Sequence, residues 1–311
     1  MIPDRDAWIL TEALRAPSAH NAQPWRIRVN DGVYELHYDH HEYLPADPDD
    51  RDAYLCMGAF LETLAIAASS EDTQVDVTPR FGREGSDLHV ADVVFRPGIV
   101  TDPLASHVPH RATNRSAYLP VSLPPTLTED LAELGCVLVP TQDVVRIVRQ
   151  ASVLSWRDRR FVGDLHAWIH RDPSRHTGMT QEQLGLKRYE WLALHGAFLL
   201  GRLPAPLALA FSGRDIRLLG DAPAVAVLSA ASDDPKDLVE AGRRLLRSWV
   251  TICGAGFGYH PISIAIDRPE TRPAIAALSG AGTPVALFRI GMPTRPARPS
   301  RRVALSDALT D

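Results

Sequence analysis

The sequence predicts an α+β protein made of two halves, and three observations support this. Apolar and polar residues alternate on both sides of an Asn-Asp-Gly turn in "QPWRIRVNDGVYELHYD", the pattern of a β-hairpin. Two apolar helices that carry small residues, "CMGAFLETLAIAA" and "EAGRRLLRSWVTICGAG", each precede strand patterns. Between them lies a polar, proline-rich segment, "PGIVTDPLASHVPHRATNRSAYLPVSLPPTL", which predicts a connection between the halves.

The first half is predicted to begin with a helix over residues 4–15, which ends before a proline. The hairpin follows, and then the apolar helix over 53–69, whose small residues suit close packing. Two strands, over 75–81 and 88–97, complete this half.

The second half is predicted to contain a helix over 127–135, a strand over 137–139 and a helical region over 144–171. Two further helices are expected within 172–212. A strand, the second apolar helix and a closing strand then follow, interrupted only by a loop. Ahead of the first of these strands, Arg214 and Arg217 are expected to lie in a loop.

Composition excludes several classes of protein. The 311 residues are 45% hydrophobic and 23% charged, with a net charge of −5, so nothing indicates attraction to nucleic acid or to an anionic membrane. Three dispersed cysteines and an N-terminus without an apolar signal core predict a cytoplasmic protein. The apolar stretch over 191–211 is interrupted by prolines and is expected to be interior, although it alone could suit a membrane surface.

The stretch "APSAHNAQPWRI" concentrates polar groups between two prolines and ends on an aromatic residue. It resembles the Pro-Ser-x-x-Asn-x-Gln-Pro-Trp motif of the FMN-dependent nitroreductase superfamily. In that family the segment closes the flavin pocket of the partner subunit. The resemblance implies that Pro17, Ser18 and Asn21 contact FMN, whereas Trp25 anchors the following strand.

Three segments of the second half carry further resemblance: "RATNR", "GFGYHPISIAI" and "ALFRIGMPTRPARPSRR". They are similar to the family's arginine signature, to its Pro-Ile turn over the flavin ring and to its closing strand and basic tail. The resemblance implies that Arg115 places a cation at the N1/O2 edge of the flavin ring and that the loop at Pro261, Ile262 and Ser263 offers backbone N–H groups to it. The residues implied for the phosphate are Arg111, Thr113, Arg301 and Arg302. Asn114, inside the arginine signature, is also expected at the FMN site.

The order of these motifs resembles the Acg-like branch, in which a fused pseudo-dimer keeps one composite site. This implies a nitroreductase-like fold with mixed and antiparallel sheets around a helical layer. The expected division is a first half over 1–105 and a second over 106–311, with a lid insertion at about 155–212. The lid's apolar run "FLLGRLPAPLALAF" is expected to cover the flavin, with Pro204 and Pro206 keeping it non-helical. Where the family often has Glu-Gly, this chain has Ser263-Ile264, so a bulky side chain is expected near the ring.

The resemblance implies an oxidoreductase that takes hydride from NAD(P)H and passes it through flavin N5 to a small electron-poor or conjugated substrate. No side chain need act as nucleophile, because the flavin carries the chemistry. The alternative is an FMN-storage protein with a closed lid, and a third possibility is a scaffold without FMN. The chain is expected to be a monomer or a weak homodimer, with no nucleic-acid or membrane partner.

Histidines favour one rival hypothesis. His166 and His170 are spaced four residues apart, which on one helical face could bind zinc. No third ligand is apparent, and "DHHEY" at 39–43 is interpreted as a polar strand end, so no metal is expected. No Gly-x-Ser-x-Gly motif indicates a serine hydrolase, and "GAGFG" ends a helix where a dinucleotide-binding motif would begin one.

Overall fold

The computed structural model describes residues 2–39, 47, 49–84, 87–280 and 282–310. The described chain is α+β, as the sequence predicts. Its helices are α1 (Asp4–Ala13), α2 (Arg51–Ser69), α3 (Pro125–Glu133), α4 (Thr141–Trp156), α5 (Arg159–Trp168), α6 (Gln181–Leu184), α7 (Arg188–Leu200), α8 (Ala205–Gly220), α9 (Pro235–Gly254), α10 (Ile264–Asp267), α11 (Arg272–Ser279) and α12 (Leu305–Ala308). Its strands are β1 (Trp25–Asn30), β2 (Val33–Tyr38), β3 (Thr73–Glu84), β4 (Asp87–Pro97), β5 (Tyr118–Leu119), β6 (Cys136–Val139), β7 (Ala224–Ala230), β8 (Gly258–Pro261), β9 (Thr283–Pro293) and β10 (Leu309–Thr310).

The first sheet has the strand order β10-β1-β2-β4-β3. The predicted hairpin is β1–β2, and Trp25 at its start is fully buried against Phe60 of α2, with ring centroids 5.3 Å apart. β10 joins the far edge in parallel with β1, so the C-terminus returns to the sheet built by the N-terminal quarter of the chain.

The second sheet has the order β5-β9-β7-β6, with β8 also paired to β9, and all of these pairs are antiparallel. The sequence predicts a loop over residues 259–272. The structure instead begins this segment in β8 and adds the short helix α10. β9 forms the spine of this sheet, since it pairs with β5, β7 and β8.

Helices α2 and α9 pack directly against each other and join the two sheets. A Cβ atom on Gly58 would lie 2.0 Å from the Val239 carbonyl oxygen, and one on Gly242 would lie 2.1 Å from the Leu55 carbonyl oxygen. The small residues noted in the sequence therefore allow the two backbones to touch. We call this contact the α2–α9 seam.

Helix α2 is buried along most of its length by the seam, the first sheet and α1, which explains why most of its residues are apolar. Among the described residues it is the one helix long and apolar enough to cross a membrane, and 83% of that window is buried inside the protein. Burial by this protein's own core accounts for its composition.

The predicted helical region over 144–171 is two helices, α4 and α5, separated at Arg157 and Asp158. The expectation that Pro204 and Pro206 prevent helix formation is wrong. Pro204 is the N-cap residue of α8 and Pro206 lies in its first turn, where a missing N–H costs nothing. Consequently Arg214 and Arg217 lie on α8, not in a loop.

Candidate functional site

A small cleft of about 90 Å³ forms where the N-terminal motif, the arginine signature and the C-terminal tail meet. Seven of the twelve predicted site residues line it, although they come from segments far apart in the chain. The lining residues are Pro17, Ser18, His20, Asn21, Arg111, Ala112, Thr113, Arg115, Met179, Arg298, Pro299, Ser300 and Arg302.

The backbone of the N-terminal motif is held in an unusual conformation beside the cleft. His20, Asn21 and Gln23 all have positive φ, between 51° and 59°. Such left-handed geometry costs on the order of 1–3 kcal/mol per non-glycine residue and persists where other contacts enforce it. One of these contacts is the hydroxyl of Ser18, which accepts a hydrogen bond of 3.0 Å from the Gln23 N–H.

Two amides of the motif hold a covering segment, residues 176–185, which we call the strap. Asn21 Nδ2 donates to the carbonyls of His176, at 2.9 Å, and Gly178, at 3.3 Å. Gln23 Nε2 also donates to His176 O, at 2.6 Å, while its Oε1 accepts from Val303 N–H at 3.0 Å. Gln23 therefore ties the strap to the C-terminal tail and does not line the cleft.

The strap closes the cleft from the opposite side. Met179 contributes to the lining, and Arg115 Nη1 donates to Gln183 O at 3.1 Å. Glu182 on α6 forms an ion pair of 2.9 Å with Arg298 of the tail. The strap thus borders the cleft through Met179 and is held there by Arg115 and Arg298.

The apolar run over 198–211 does not cover the cleft, contrary to the sequence-based expectation. Phe198 packs inward, but Leu199 is 91% exposed, and Leu207 and Leu209 are also exposed. This run forms the end of α7 and the start of α8, on the outside of the insertion.

Three guanidinium groups converge on the cleft without an acidic counterpart. Arg111 donates to the Tyr259 hydroxyl and to Arg15 O, and Arg302 donates to Asn21 Oδ1. Among the described residues, no carboxylate forms an ion pair with Arg111, Arg115 or Arg302. The arrangement leaves net positive charge at the wall of a small polar cavity.

The buried Nε of Arg302 has no hydrogen-bond partner among the described residues. Burial, together with the nearby charge of Arg111, lowers the pKa of Arg302 to about 9. Burial also lowers the pKa of Arg115. Desolvated cations that lack anions are the electrostatic condition for binding an anionic ligand.

His20 also lines the cleft, and sequence reasoning missed it. Burial lowers the pKa of its imidazole to about 4, an effect that Asp52 opposes and Arg115 adds to. The ring is therefore neutral at physiological pH. Its position in the sequence could have indicated a role at the site, because His20 occupies one of the variable positions of the Pro-Ser-x-x-Asn-x-Gln-Pro-Trp motif. Arg298 and Ser300 were likewise present in the basic tail, whereas no pattern marked Met179.

Five predicted residues lie outside the lining. Asn114 is buried, donates to Arg295 O at 2.8 Å and accepts from Ser116 N–H at 2.9 Å, so it shapes the signature loop. The side chain of Arg301 is exposed, and its carbonyl lies 3.4 Å from both Asn21 Nδ2 and Gln23 Nε2.

The Pro-Ile turn is used by the core. Pro261 ends β8, and the N–H of Ile262 donates to Leu287 O at 2.7 Å. Ser263 is the N-cap residue of α10, and Ile264 packs against the core under the second sheet. The expected ring contact of Ile264 is absent from the described cleft lining, because the side chain is used for packing.

Arg214 and Arg217 lie outside the cleft lining as well. Arg214 supports the strap, since it donates to Gly185 O at 3.0 Å and pairs with Glu190 at 3.6 Å. Arg217 is exposed on α8.

A larger cavity of about 550 Å³ lies beyond the strap and is lined by His166, Ile169, His170, Arg171, Asp172, Arg175, His195, Phe198 and Leu199. Helix α5 ends at Trp168, so His166 and His170 do not share a helical face. No three His, Cys, Asp or Glu residues within the described ranges form a group that could hold a metal ion. Of the "DHHEY" stretch, residues 40–43 lie outside the described residues.

No protein-family model matches the chain. It is 29% identical over 298 residues to a Mycobacterium tuberculosis protein named "Putative NAD(P)H nitroreductase Rv3131", a match that covers 91% of this chain and 83% of the relative. The M. tuberculosis protein named "Putative NAD(P)H nitroreductase acg" is 28% identical over 310 residues, covering 92% and 91% of the two chains. The Serratia sp. protein named "Probable NAD(P)H nitroreductase PigM" is 23% identical, and the match covers 90% of that relative.

Among solved structures, an FMN- and NADPH-dependent nitroreductase, NfnB from Sphigopyxis sp. strain HMH, superposes with a TM-score of 0.42 and 15% identity. The match covers 68% of this chain and 99% of that one. The resemblance indicated by the motifs is confirmed by the sequence relatives: the chain is a homologue of proteins named as nitroreductases, and Acg is among them.

Proposed function

We propose that the chain is an NAD(P)H-dependent flavin oxidoreductase that binds one FMN in the arginine-lined cleft between its two halves. The proposal rests on the converging guanidinium groups of Arg111, Arg115 and Arg302. Within the part of the chain that the structure describes, none of them forms an ion pair with a carboxylate, and the buried Nε of Arg302 has no hydrogen-bond partner. The names of the relatives agree with it.

The residues of the cleft fit the phosphate of FMN. Arginine forks bind phosphate oxygens with paired hydrogen bonds, and hydroxyl groups complete such a site. Arg111 and Arg302 would supply the cations, and Ser18, Thr113 and Ser300 lie on the same lining to supply hydroxyls. Bound FMN would supply the hydride transfer between NAD(P)H and a small electron-poor substrate.

Arg115 is proposed for the polar edge of the flavin ring. Its guanidinium faces the cleft and is tied to the strap through Gln183 O. A cation there would stabilise negative charge on the cofactor. His20, neutral and on the same lining, would offer a hydrogen bond without adding charge.

The size of the cleft bears on how the cofactor enters. Small-molecule sites commonly measure about 300–1,000 Å³, whereas this cleft measures about 90 Å³. It is large enough for a phosphate group, and the strap occupies the space beside it. We infer that the ring enters only when the strap moves and its bonds to Asn21 and Arg115 break.

The strap also favours the second candidate function, an FMN-storage protein with little turnover. Five residues bond to the strap and keep it beside the cleft: Asn21, Gln23, Arg115, Arg214 and Arg298. A cover of this kind would exclude water and bulky acceptors alike. The two functions differ in whether the strap opens during reduction.

FMN content tests the first part of the proposal. The purified protein should carry close to one FMN per chain, and Arg111→Ala combined with Arg302→Ala should release it. The matched control is Arg146→Ala, because that side chain is 80% exposed on α4 and pairs only with Asp143. Two FMN per chain, or full retention by the double variant, would contradict the composite arginine site.

The rate of anaerobic flavin reduction by NADPH separates the two functions. An oxidoreductase should be reduced within seconds, whereas a storage protein should be reduced slowly by NADPH but readily by dithionite. Glu182→Gln removes the ion pair that fastens the strap to Arg298 and should speed reduction if the strap limits it. Glu129→Gln on α3, an exposed carboxylate remote from the strap, is the control.

A further inference from the structure

The outer side of helix α7 is apolar and faces solvent. Tyr189, Leu192, Leu199 and Leu200 recur at helical spacing on this side and are 65%, 61%, 91% and 59% exposed. The opposite side carries Leu194 and Phe198, which are buried in the core of the insertion. Helix α7 therefore carries apolar side chains on two opposite sides, and the core of the insertion covers one of them.

The first turns of α8 carry two further exposed leucines. Leu207 and Leu209 are 49% and 46% exposed, and Leu203 in the connection between the helices is buried. Six of the fourteen large hydrophobic side chains exposed on the described chain fall within residues 189–209. Single exposed leucines are ordinary, but several large apolar side chains on one side of a helix, as on α7, mark an interaction surface. We call residues 189–209 the apolar face.

The exposed charges at the two ends of the apolar face are cations, whereas the one acid within it, Glu190, is half-buried and pairs with Arg214 at 3.6 Å. Residues 191–214 contain no aspartate or glutamate, and the exposed Arg202 lies at the turn between α7 and α8. Lys187 and Arg188, both exposed, border the other end of α7. These cations stand out on a chain whose net charge is −5.

The sign of these charges selects the occupant. In a symmetric pair of copies, the face of one chain would meet the same face of the other. This would place the exposed Lys187, Arg188 and Arg202 against the same cations, while Glu190 is already paired with Arg214. An anionic lipid surface would satisfy both features, because leucines enter the acyl boundary while lysine and arginine contact headgroups. Tyr189, with Lys187 over its ring at 5.9 Å, is suited to the same boundary.

We propose that the α7–α8 apolar face docks the protein on the surface of an anionic lipid bilayer. The helices lie in the interface and do not cross it, since α7 has 13 residues and α8 has 16, fewer than the roughly 20 that a spanning helix needs. The net charge of the whole chain predicted no membrane partner; the local distribution of charge points the other way. This proposal does not depend on FMN.

Sedimentation with vesicles tests it on the full chain. The wild-type protein should sediment with phosphatidylcholine vesicles that contain 50% phosphatidylglycerol and remain in solution with phosphatidylcholine alone. Leu199→Asp with Leu200→Asp should abolish sedimentation. Val100→Asp is the control, because Val100 is 88% exposed but lies outside the apolar face. Circular dichroism should report the same fold for all variants.

A second variant tests the contribution of positive charge to vesicle binding. Arg202→Gln should weaken binding to the anionic vesicles about five-fold, the equivalent of about 1 kcal/mol per cation at an anionic surface. Failure to sediment with anionic vesicles at low salt, or equal sedimentation with phosphatidylcholine alone, would overturn the proposal. So would a dimer in sedimentation equilibrium that Leu199→Asp dissociates, because the face would then belong to a second copy.

Discussion

The α2–α9 seam and the arginine cleft both bury charge between distant parts of the chain, but they treat it in opposite ways. In the seam, the carboxylate of Glu62 is 4% exposed and accepts from Arg243 at 2.8 Å and from Arg247 at 2.6 Å. Arg247 also pairs with Asp102 at 2.8 Å. In the cleft, Arg111 and Arg302 lie together without a carboxylate.

This difference separates a structural charge cluster from a binding one. Seam charges are mutually compensated, so each stabilises the fold and removal of one leaves its partners unpaired. Arg111 and Arg302 of the cleft have no ion-paired carboxylate among the described residues, so burying them costs free energy that a bound anion would recover. The comparison predicts that charge removal harms stability in the seam and binding in the cleft.

The largest effect is expected in the seam from Glu62→Gln. Loss of a buried ion-pair partner costs about 3–5 kcal/mol, and Arg243 and Arg247, each about one-third exposed, lower this to about 2–3 kcal/mol. Urea unfolding measures the change. Glu240→Gln is the control, because that carboxylate is 62% exposed and 4.0 Å from Arg243, and it should change stability by less than about 0.5 kcal/mol.

A second change in the seam tests its backbone contact. Gly242→Ala would place a Cβ atom 2.1 Å from the Leu55 carbonyl oxygen, so the helices must separate at a cost of about 2 kcal/mol. Gly196 on α7 has open space around the same position, and Gly196→Ala should be neutral or stabilise by up to about 1 kcal/mol. Equal effects of the two substitutions would mean that the seam is not tightly packed.

Much of the fold could be predicted because its local patterns are strong. The Asn-Asp-Gly hairpin, the two apolar helices and the closing strand lie where periodicity placed them. The insertion was harder, since Pro204 and Pro206 fit either a loop or a first helical turn, and only packing decides between them. The pairing of β10 with β1 joins residues about 280 positions apart, which no local pattern specifies.

The candidate site likewise contains residues that sequence motifs predict and contacts that only the fold determines. The resemblance to the arginine signature and the basic tail predicts Arg111, Thr113, Arg115 and Arg302, and the structure brings these four together at one cleft. The use of Gln23 and Asn21 to hold the strap could not be found, because it depends on where residues 176–178 fold. The proposed boundary near residue 105 remains a proposal, and the return of β10 to the first sheet means that the C-terminus belongs spatially to both halves.

In the cleft, Arg302→Ala should leave the free protein within about 1 kcal/mol of the wild type, since it removes a desolvated cation as well as its hydrogen bonds. What should disappear is stabilisation by ligand. FMN at ten times its dissociation constant should stabilise the wild type by about 1.4 kcal/mol, and the variant by much less. Thermal unfolding with and without FMN measures both, with Arg146→Ala as control. A variant that unfolds easily without ligand would place Arg302 among the structural charges.

The smallest effect is expected from His20→Gln and appears only in acid. The folded pKa of His20, about 4, lies below the ordinary value of 6.5, so between these values the unfolded chain binds more protons and stability falls as pH falls. The wild type should therefore lose on the order of 1 kcal/mol more than the variant between pH 7 and pH 4, a figure reduced because the ring borders a cleft. Burial raises the pKa of Asp47 to about 7 and that of Asp267 to about 6, which changes stability in the opposite direction. Both groups are present in the wild type and in the variant, so their effects cancel in the difference.

Urea midpoints at pH 4, 5, 6 and 7 measure this difference in stability, with the exposed His110→Gln as control. Parallel curves for the wild type and His20→Gln would mean that His20 is as accessible to protons in the folded chain as in the unfolded one, and that the cleft is open to water rather than closed by the strap.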